Sequence, residues 1–190
     1  MFAGLRMRAV ALGRVCLLVA LAAACAPLTE QRDPVLEQGL VTYYAGVDRF
    51  LTRAAADRTT FQQAEPWYGQ TTSRLKSLTM LAETRAISDR CVGSDTVSGL
   101  LERTMAGLDS LRGSVAPGNQ PMLADVRAQL AERGGSCTVQ SLKAILANQQ
   151  LMRAIHQHND RLAPAVVDIL RPTIEQGVRI ALTAERAKPQ

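Results

Sequence analysis

Apolar residues recur every three or four positions along most of this chain, a spacing that predicts helices. Over residues 34–57 successive apolar positions lie 4, 3, 4, 3 and 4 residues apart, and the preceding Asp33-Pro34 is typical of a helix start. No convincing run alternates apolar and polar residues in the manner of a β-strand. The first stripe consists of Leu36, Leu40, Tyr43, Val47, Phe50 and Ala54.

The middle of the chain carries further helices separated by turn signals. Glu65-Pro66-Trp67-Tyr68-Gly69 breaks the spacing and predicts a turn, because proline and glycine interrupt helices. A second helix then ends near Arg90. The clearest amphipathic stripe covers residues 95–112, and a loop follows at 113–120.

The last third of the chain extends the same pattern. A short helix over residues 121–133 ends at Gly134-Gly135, and another follows around Val139. Pro164 and Pro172 interrupt the final segment, which predicts either one kinked helix or two.

Together these segments predict an all-α fold, a single helical bundle of five or six helices over residues 34–187. The three residues after it, 188–190, are predicted to form a disordered tail. At 190 residues the chain has the length of one domain of ordinary size.

The first 24 residues have the layout of an export signal. Three arginines and no acid precede ten uncharged apolar residues, Val15 to Ala24, which are too few to span a hydrocarbon core of about 30 Å. The segment Leu21-Ala22-Ala23-Ala24-Cys25 resembles the lipobox of bacterial lipoproteins, although that class more often carries leucine where this chain has Ala22. Ala22-x-Ala24 and Ala24-x-Ala26 also fit ordinary signal-peptidase cleavage, so that alternative stays open.

The lipobox resemblance implies removal of residues 1–24 and attachment of lipid (palmitate among the acyl chains) to Cys25. Several acyl chains hold a protein stably on a membrane. Residues 25–33 would then form a lipidated tether between the membrane and the bundle. In this class an aspartate after the cysteine favours retention in the inner membrane. Ala26 therefore points to the inner leaflet of the outer membrane, facing the periplasm.

The net charge of +5 gives no indication of nucleic-acid binding. Three of these charges belong to the export signal, and the remaining chain carries 19 basic against 17 acidic side chains. We therefore expect the membrane, through the lipid anchor, and an envelope protein as partners, with no nucleic acid.

Two cysteines remain in the mature domain, Cys91 and Cys137. Exported proteins usually pair such thiols, and an up-and-down helical hairpin between the two would bring them together. The sequence thus predicts one structural disulfide. A redox role, which favours Cys-X-X-Cys spacing, and two free thiols are the alternatives.

The aromatic residues are concentrated in one segment, since six of the seven lie between Tyr43 and Tyr68. Those on the first helix fit core packing. Trp67 and Tyr68, next to Glu65 in the predicted turn, are candidates for contact with a partner. The alternative is that both rings cap one end of the bundle.

One histidine-rich segment is a weak candidate for metal binding. His156 and Asp160 have the i, i+4 spacing that places two ligands on one helix face, but two ligands do not make a complete site. We therefore predict a solvated helix face and no cofactor, with metal binding as the alternative.

The sequence contains no recognised catalytic motif, neither Gly-X-Ser-X-Gly, nor His-Glu-X-X-His, nor a phosphate-binding glycine loop. We therefore expect a non-catalytic interaction or accessory module of an envelope complex. Two other functions stay open: a carrier of a small apolar ligand or metal between helices, and an envelope-active hydrolase.

Overall fold

The computed structural model describes residues 30–57, 59–86, 91, 94–132 and 134–189. These residues contain six α-helices and no strand, which confirms the all-α bundle. The helices are α1 (Pro34–Asp57), α2 (Phe61–Arg85), α3 (Ser94–Leu111), α4 (Gln120–Ala131), α5 (Cys137–Asn159) and α6 (Pro164–Arg186), with 3-10 turns at Arg112–Ser114 and Pro117–Asn119.

Helix α1 begins where its sequence predicts. The Asp33 carboxylate accepts hydrogen bonds from the backbone N–H groups of Val35 (2.8 Å) and Leu36 (3.2 Å), and Pro34 occupies the first turn. The predicted apolar stripe of this helix is buried in the core.

The turn predicted around Pro66 is wrong, because Pro66 and Gly69 both lie inside α2. This helix starts with a capping box, in which the Gln63 N–H donates to Thr60 and the Gln63 side chain accepts from the Thr60 N–H. Pro66 removes one backbone hydrogen bond near the beginning of the helix. The cap and the burial of Tyr68 offset that cost.

The final segment forms one helix. Pro164 lies at its first position, where the missing N–H is not needed, and Pro172 is accommodated inside α6. The buried stripe continues past Pro172, from Val166 and Leu170 to Ile174 and Val178, and so favours a continuous helix over two.

Helix α5 is the central element of the bundle. Of its 23 residues 15 are buried, and α2, α3, α4 and α6 all pack against it. Several of its buried residues are polar, and Thr138, Asn148 and Gln149 hydrogen-bond to side chains of neighbouring helices. Asn148, for example, donates a hydrogen bond to Thr104 on α3 (3.2 Å).

The predicted disulfide between Cys91 and Cys137 is present, with the two Cα atoms 4.4 Å apart. It joins the segment before α3 to the first residue of α5. The hairpin of α3 and α4 lies between the two cysteines in sequence, as predicted.

The two ends of the described chain lie together. The Arg32 N–H donates to the Pro189 carbonyl (2.9 Å), and the Lys188 ammonium contacts Glu30 (3.0 Å) and Glu185 (2.5 Å). Lys188, which the sequence assigned to a disordered tail, is half-buried, and the exposed Pro189 contacts Arg32 through its carbonyl oxygen. The reason is electrostatic, because Lys188 neutralises a fully buried carboxylate.

The predicted signal segment and Cys25 lie outside the described residues. Within the described residues no helix combines the length and apolar character needed to cross a bilayer.

Gly177 sets how closely α6 approaches the centre of the bundle. A Cβ atom added there would lie 2.7 Å from Ile145 Cγ1 on α5 and 3.6 Å from Leu100 Cδ2 on α3. We expect Gly177→Ala to lower the free energy of unfolding by about 1–2 kcal/mol, measured by denaturant unfolding.

The matched control is Gly46→Ala on α1, where nothing lies within 4 Å of the added Cβ. It should raise the free energy of unfolding by about 0.5–1 kcal/mol through helix propensity. Equal effects of the two substitutions would contradict the packing described for Gly177.

Candidate functional site

Helices α1 and α2 enclose a surface groove that carries three arginines. Two adjoining cavities of about 320 and 410 Å³ share Gly46, Arg49 and Trp67 as lining residues. Arg53 lines the first cavity and Arg74 the second. We call the surface formed by these five residues the arginine groove.

Two glycines on α1 explain where the groove opens. At Gly39 the helices are close, since an added Cβ would lie 2.5 Å from Leu78 Cδ2 on α2. At Gly46, seven residues further along the same face, an added Cβ would meet nothing within 4 Å. The gap beside Gly46 is therefore not filled by side chains, and the α1 backbone is accessible from the groove.

Trp67 forms part of the groove wall, and the buried Phe50 supports its ring from the core side. Its ring stacks on Phe50, with centroids 3.8 Å apart and planes inclined by 13°. The side chain is only partly buried, so the indole also borders the two cavities. Stacking on Phe50 thus holds the Trp67 ring in one orientation at the surface.

The three predicted contact residues, Glu65, Trp67 and Tyr68, do not share a surface. Tyr68 is fully buried and belongs to the core, because α2 continues through the segment where a turn was predicted. Glu65 is exposed outside the groove lining and lies 4.0 Å from Arg153 on α5. Of the three, the structure places Trp67 in the groove.

The arginines of the groove have no acidic counterpart in the described part of the chain. Arg49, Arg53 and Arg74 form no ion pair with a carboxylate side chain that the structure describes. By contrast, Arg171 on α6 pairs with Asp48 (2.7 Å) on a neighbouring face of α1. Since Arg49 and Arg53 are one helical turn apart, their like charges disfavour the helix slightly.

A buried hydrogen-bond chain beneath the groove fixes its walls. The Tyr43 hydroxyl donates to Gln149 Oε1 (3.0 Å), and Gln149 Nε2 donates to Thr71 Oγ1 (2.8 Å). Thr71 in turn donates to the Trp67 carbonyl (2.7 Å). Burial raises the pKa of Tyr43, so its hydroxyl keeps its proton and remains a donor.

His156 is a buried structural residue, so the solvated helix face predicted here is wrong at this position. Its Nε2 lies 3.0 Å from the Thr59 carbonyl and its Nδ1 lies 3.0 Å from the Tyr68 hydroxyl. A carbonyl can only accept, so the proton belongs on Nε2, and Nδ1 accepts from Tyr68. Both ring nitrogens are thereby engaged within the fold.

Asp160 also has a structural role. It ends α5 in the left-handed conformation, with φ 57°, and its Oδ1 and carbonyl oxygen both accept from the Phe61 N–H at the start of α2. His156 and Asp160 therefore contact different partners. Among the described residues no three histidine, cysteine or carboxylate side chains are grouped to hold a metal ion.

The burial of His156 predicts a pH-dependent stability. Burial lowers its pKa, so the unfolded chain takes up a proton near the ordinary histidine value of about 6.5 while the folded chain does not. This contribution to stability is present above pH 6.5. It falls as the pH drops below that value, by at most about 1.4 kcal/mol per pH unit.

We expect His156→Gln to remove this part of the pH dependence, measured by urea unfolding between about pH 7 and pH 5. His158→Gln, on the same helix but exposed, is the matched control for loss of an imidazole. An unchanged slope in the His156 variant would contradict a neutral, buried imidazole.

The arginines of the groove were not among the residues predicted from the sequence to contact a partner. The available signal was the pair Arg49 and Arg53, one turn apart on the polar face of α1, with Gly46 one turn earlier. That Arg74 and Trp67 lie opposite follows only from the pairing of α1 with α2.

Comparisons of this chain with protein-family models, with curated proteins and with solved structures found no match.

Proposed function

We propose that this protein is a lipid-anchored, non-catalytic binding module of the bacterial cell envelope, and that the arginine groove is its contact surface. The observation that carries the proposal is the groove itself. Three arginines line an opening between two helices and have no described carboxylate partner. Exposed charges held in this way favour recognition of an oppositely charged partner.

The buried polar groups already have partners inside the fold, which leaves the exposed surface as the place to look for binding. His156, Tyr43 and Tyr68 hydrogen-bond within the core, and Glu185 pairs with Lys188. These groups stabilise the fold. We therefore assign the function to the exposed groove.

The lipid anchor is proposed on the lipobox-like segment that ends at Cys25. Because Glu30 and Arg32 contact the last residues of the described chain, only four residues lie between Cys25 and the first of these contacts, a reach of at most about 17 Å. The end of the bundle with the start of α1 would thus face the outer membrane. Arg49 would lie about 22 Å further out along α1.

Metabolic labelling tests the anchor. Cells expressing the full chain are given an alkyne-tagged palmitate, and we expect label on the wild type and its recovery with membranes. Cys25→Ala should lose both, whereas the control Cys16→Ala should lose neither. An unlabelled wild type, or a Cys25→Ala variant that keeps its label, would contradict lipidation at this residue.

One observation favours carriage of a small apolar ligand as a second candidate function. A cavity of about 330 Å³ lies between α3 and α6, and Val97, Ile180 and Ala184 are among its lining residues. Native mass spectrometry of the protein from mild detergent would show a bound small molecule. The Ile180→Trp variant, which fills this cavity, should lose that molecule. A bare protein mass would exclude this candidate.

A further inference from the structure

We propose that the arginine groove binds an acidic segment of a partner polypeptide in extended conformation. This inference rests on the proposed binding function and adds the chemistry of the partner. It follows from three features of the groove: the positive charge of its arginines, the exposure of the α1 backbone at Gly46 and the position of the groove along α1.

The charge selects a ligand with several carboxylates. A guanidinium group presents a planar set of N–H donors that matches a carboxylate with two parallel hydrogen bonds. The Nε of Arg49 donates to the carbonyl of Ala45 on its own helix (3.1 Å), which leaves its terminal N–H groups available. Arg53 and Arg74 extend the cationic surface along both walls.

The shape of the groove suits a polypeptide. At Gly46 no side chain covers the α1 backbone. On α2 the Gln70 amide and the Gln63 Nε2 group can pair with a main chain, while Gln63 Oε1 accepts from the Thr60 N–H in the capping box. The α1 residues that line the two cavities of the groove run from Thr42 to Arg53, a wall of about 16 Å. An extended segment of about five residues has that length.

The position of the arginines argues against the headgroups of the anchoring membrane as the ligand. Arg49 and Arg53 lie near the end of α1 that is distant from the tether, about 22–28 Å from Pro34. Because the groove is open at the surface, it would instead admit an extended segment of a neighbouring protein. The proposal therefore assigns an acidic polypeptide.

Fluorescence of Trp67 provides a direct test, because this is the single tryptophan of the chain and it lies in the groove. The full-length protein in detergent is titrated with a glutamate homopeptide of about six residues. We expect a saturable change in tryptophan emission that weakens as salt is raised. A glutamine homopeptide of equal length should cause none.

Three variants separate charge from shape. Arg49→Gln/Arg74→Gln should weaken binding about tenfold or more, whereas the control pair Arg103→Gln/Arg161→Gln, exposed elsewhere on the bundle, should leave it unchanged. Gly46→Leu keeps every charge but occupies the groove, and it should abolish binding. Circular dichroism checks that each variant is folded.

The proposal is overturned if the glutamate peptide does not bind, if both arginine pairs have equal effects, or if a folded Gly46→Leu protein binds normally. Binding of polyphosphate or of phosphatidylglycerol vesicles more tightly than the glutamate peptide would also overturn it, because the groove would then be a site for another anion. Any of these results would leave the labelling of Cys25 unaffected, so failure here is distinct from failure of the proposed anchor.

Discussion

Replacing Cys91 and Cys137 together by serine is expected to lower the free energy of unfolding by about 4 kcal/mol. The disulfide joins residues 46 apart in sequence, so it restricts a long loop in the unfolded chain. In the folded chain it holds the hairpin of α3 and α4 against the start of α5. Its removal should therefore lower stability while leaving the helix content near that of the wild type.

Denaturant unfolding with and without reductant measures this effect. The wild type with reductant should match the double-serine variant, and the variant itself should not respond to reductant. A variant within about 1 kcal/mol of the oxidised wild type would contradict the contribution assigned to this bond.

Lys188→Ala is expected to destabilise the fold by about 3 kcal/mol, although Lys188 is the third residue from the end of the chain. Glu185 is fully buried and accepts from Thr138 (2.7 Å) and Lys188 (2.5 Å) on the same oxygen, while its second oxygen has no hydrogen-bond partner. Removal of the lysine leaves a buried carboxylate without its cation, which costs far more than the loss of an exposed ion pair.

A second substitution separates charge burial from packing. Glu185→Gln in the Lys188→Ala background removes the charge and keeps an acceptor for Thr138, so it should restore at least half of the lost stability. Lys76→Ala, at an exposed position of α2, is the matched control and should change stability by less than about 0.5 kcal/mol. A Lys188→Ala variant as stable as the wild type would show that Lys188 does not compensate the buried Glu185 charge as described.

Local signals were sufficient for much of the fold. The Asp33 cap and the apolar stripe define α1, the spacing after residue 94 defines α3, and the two cysteines determine the contact between α3 and α5. The cap and the two stripes depend on residues that are near in sequence. The disulfide could be predicted because Cys91 and Cys137 are the two cysteines of the predicted mature domain apart from Cys25.

The errors arose where distant contacts outweigh local preference. Pro66 predicted a turn, but the buried Tyr68 and the Thr60 cap keep the segment helical. The contact between Lys188, in the predicted tail, and the buried Glu185 likewise follows from tertiary structure and not from a local sequence pattern. The groove could not be predicted from spacing, because it exists only where α1 and α2 separate beside Gly46.

Site-specific photo-crosslinking in living cells tests the groove as the contact surface most directly. A photoreactive amino acid is placed at Gln70 on the α2 wall and, as control, at Ala124, which is exposed on α4. We predict that a discrete polypeptide crosslinks from position 70, not from position 124, and that Gly46→Leu abolishes the product. No product from position 70, or the same product from both positions, would contradict the account.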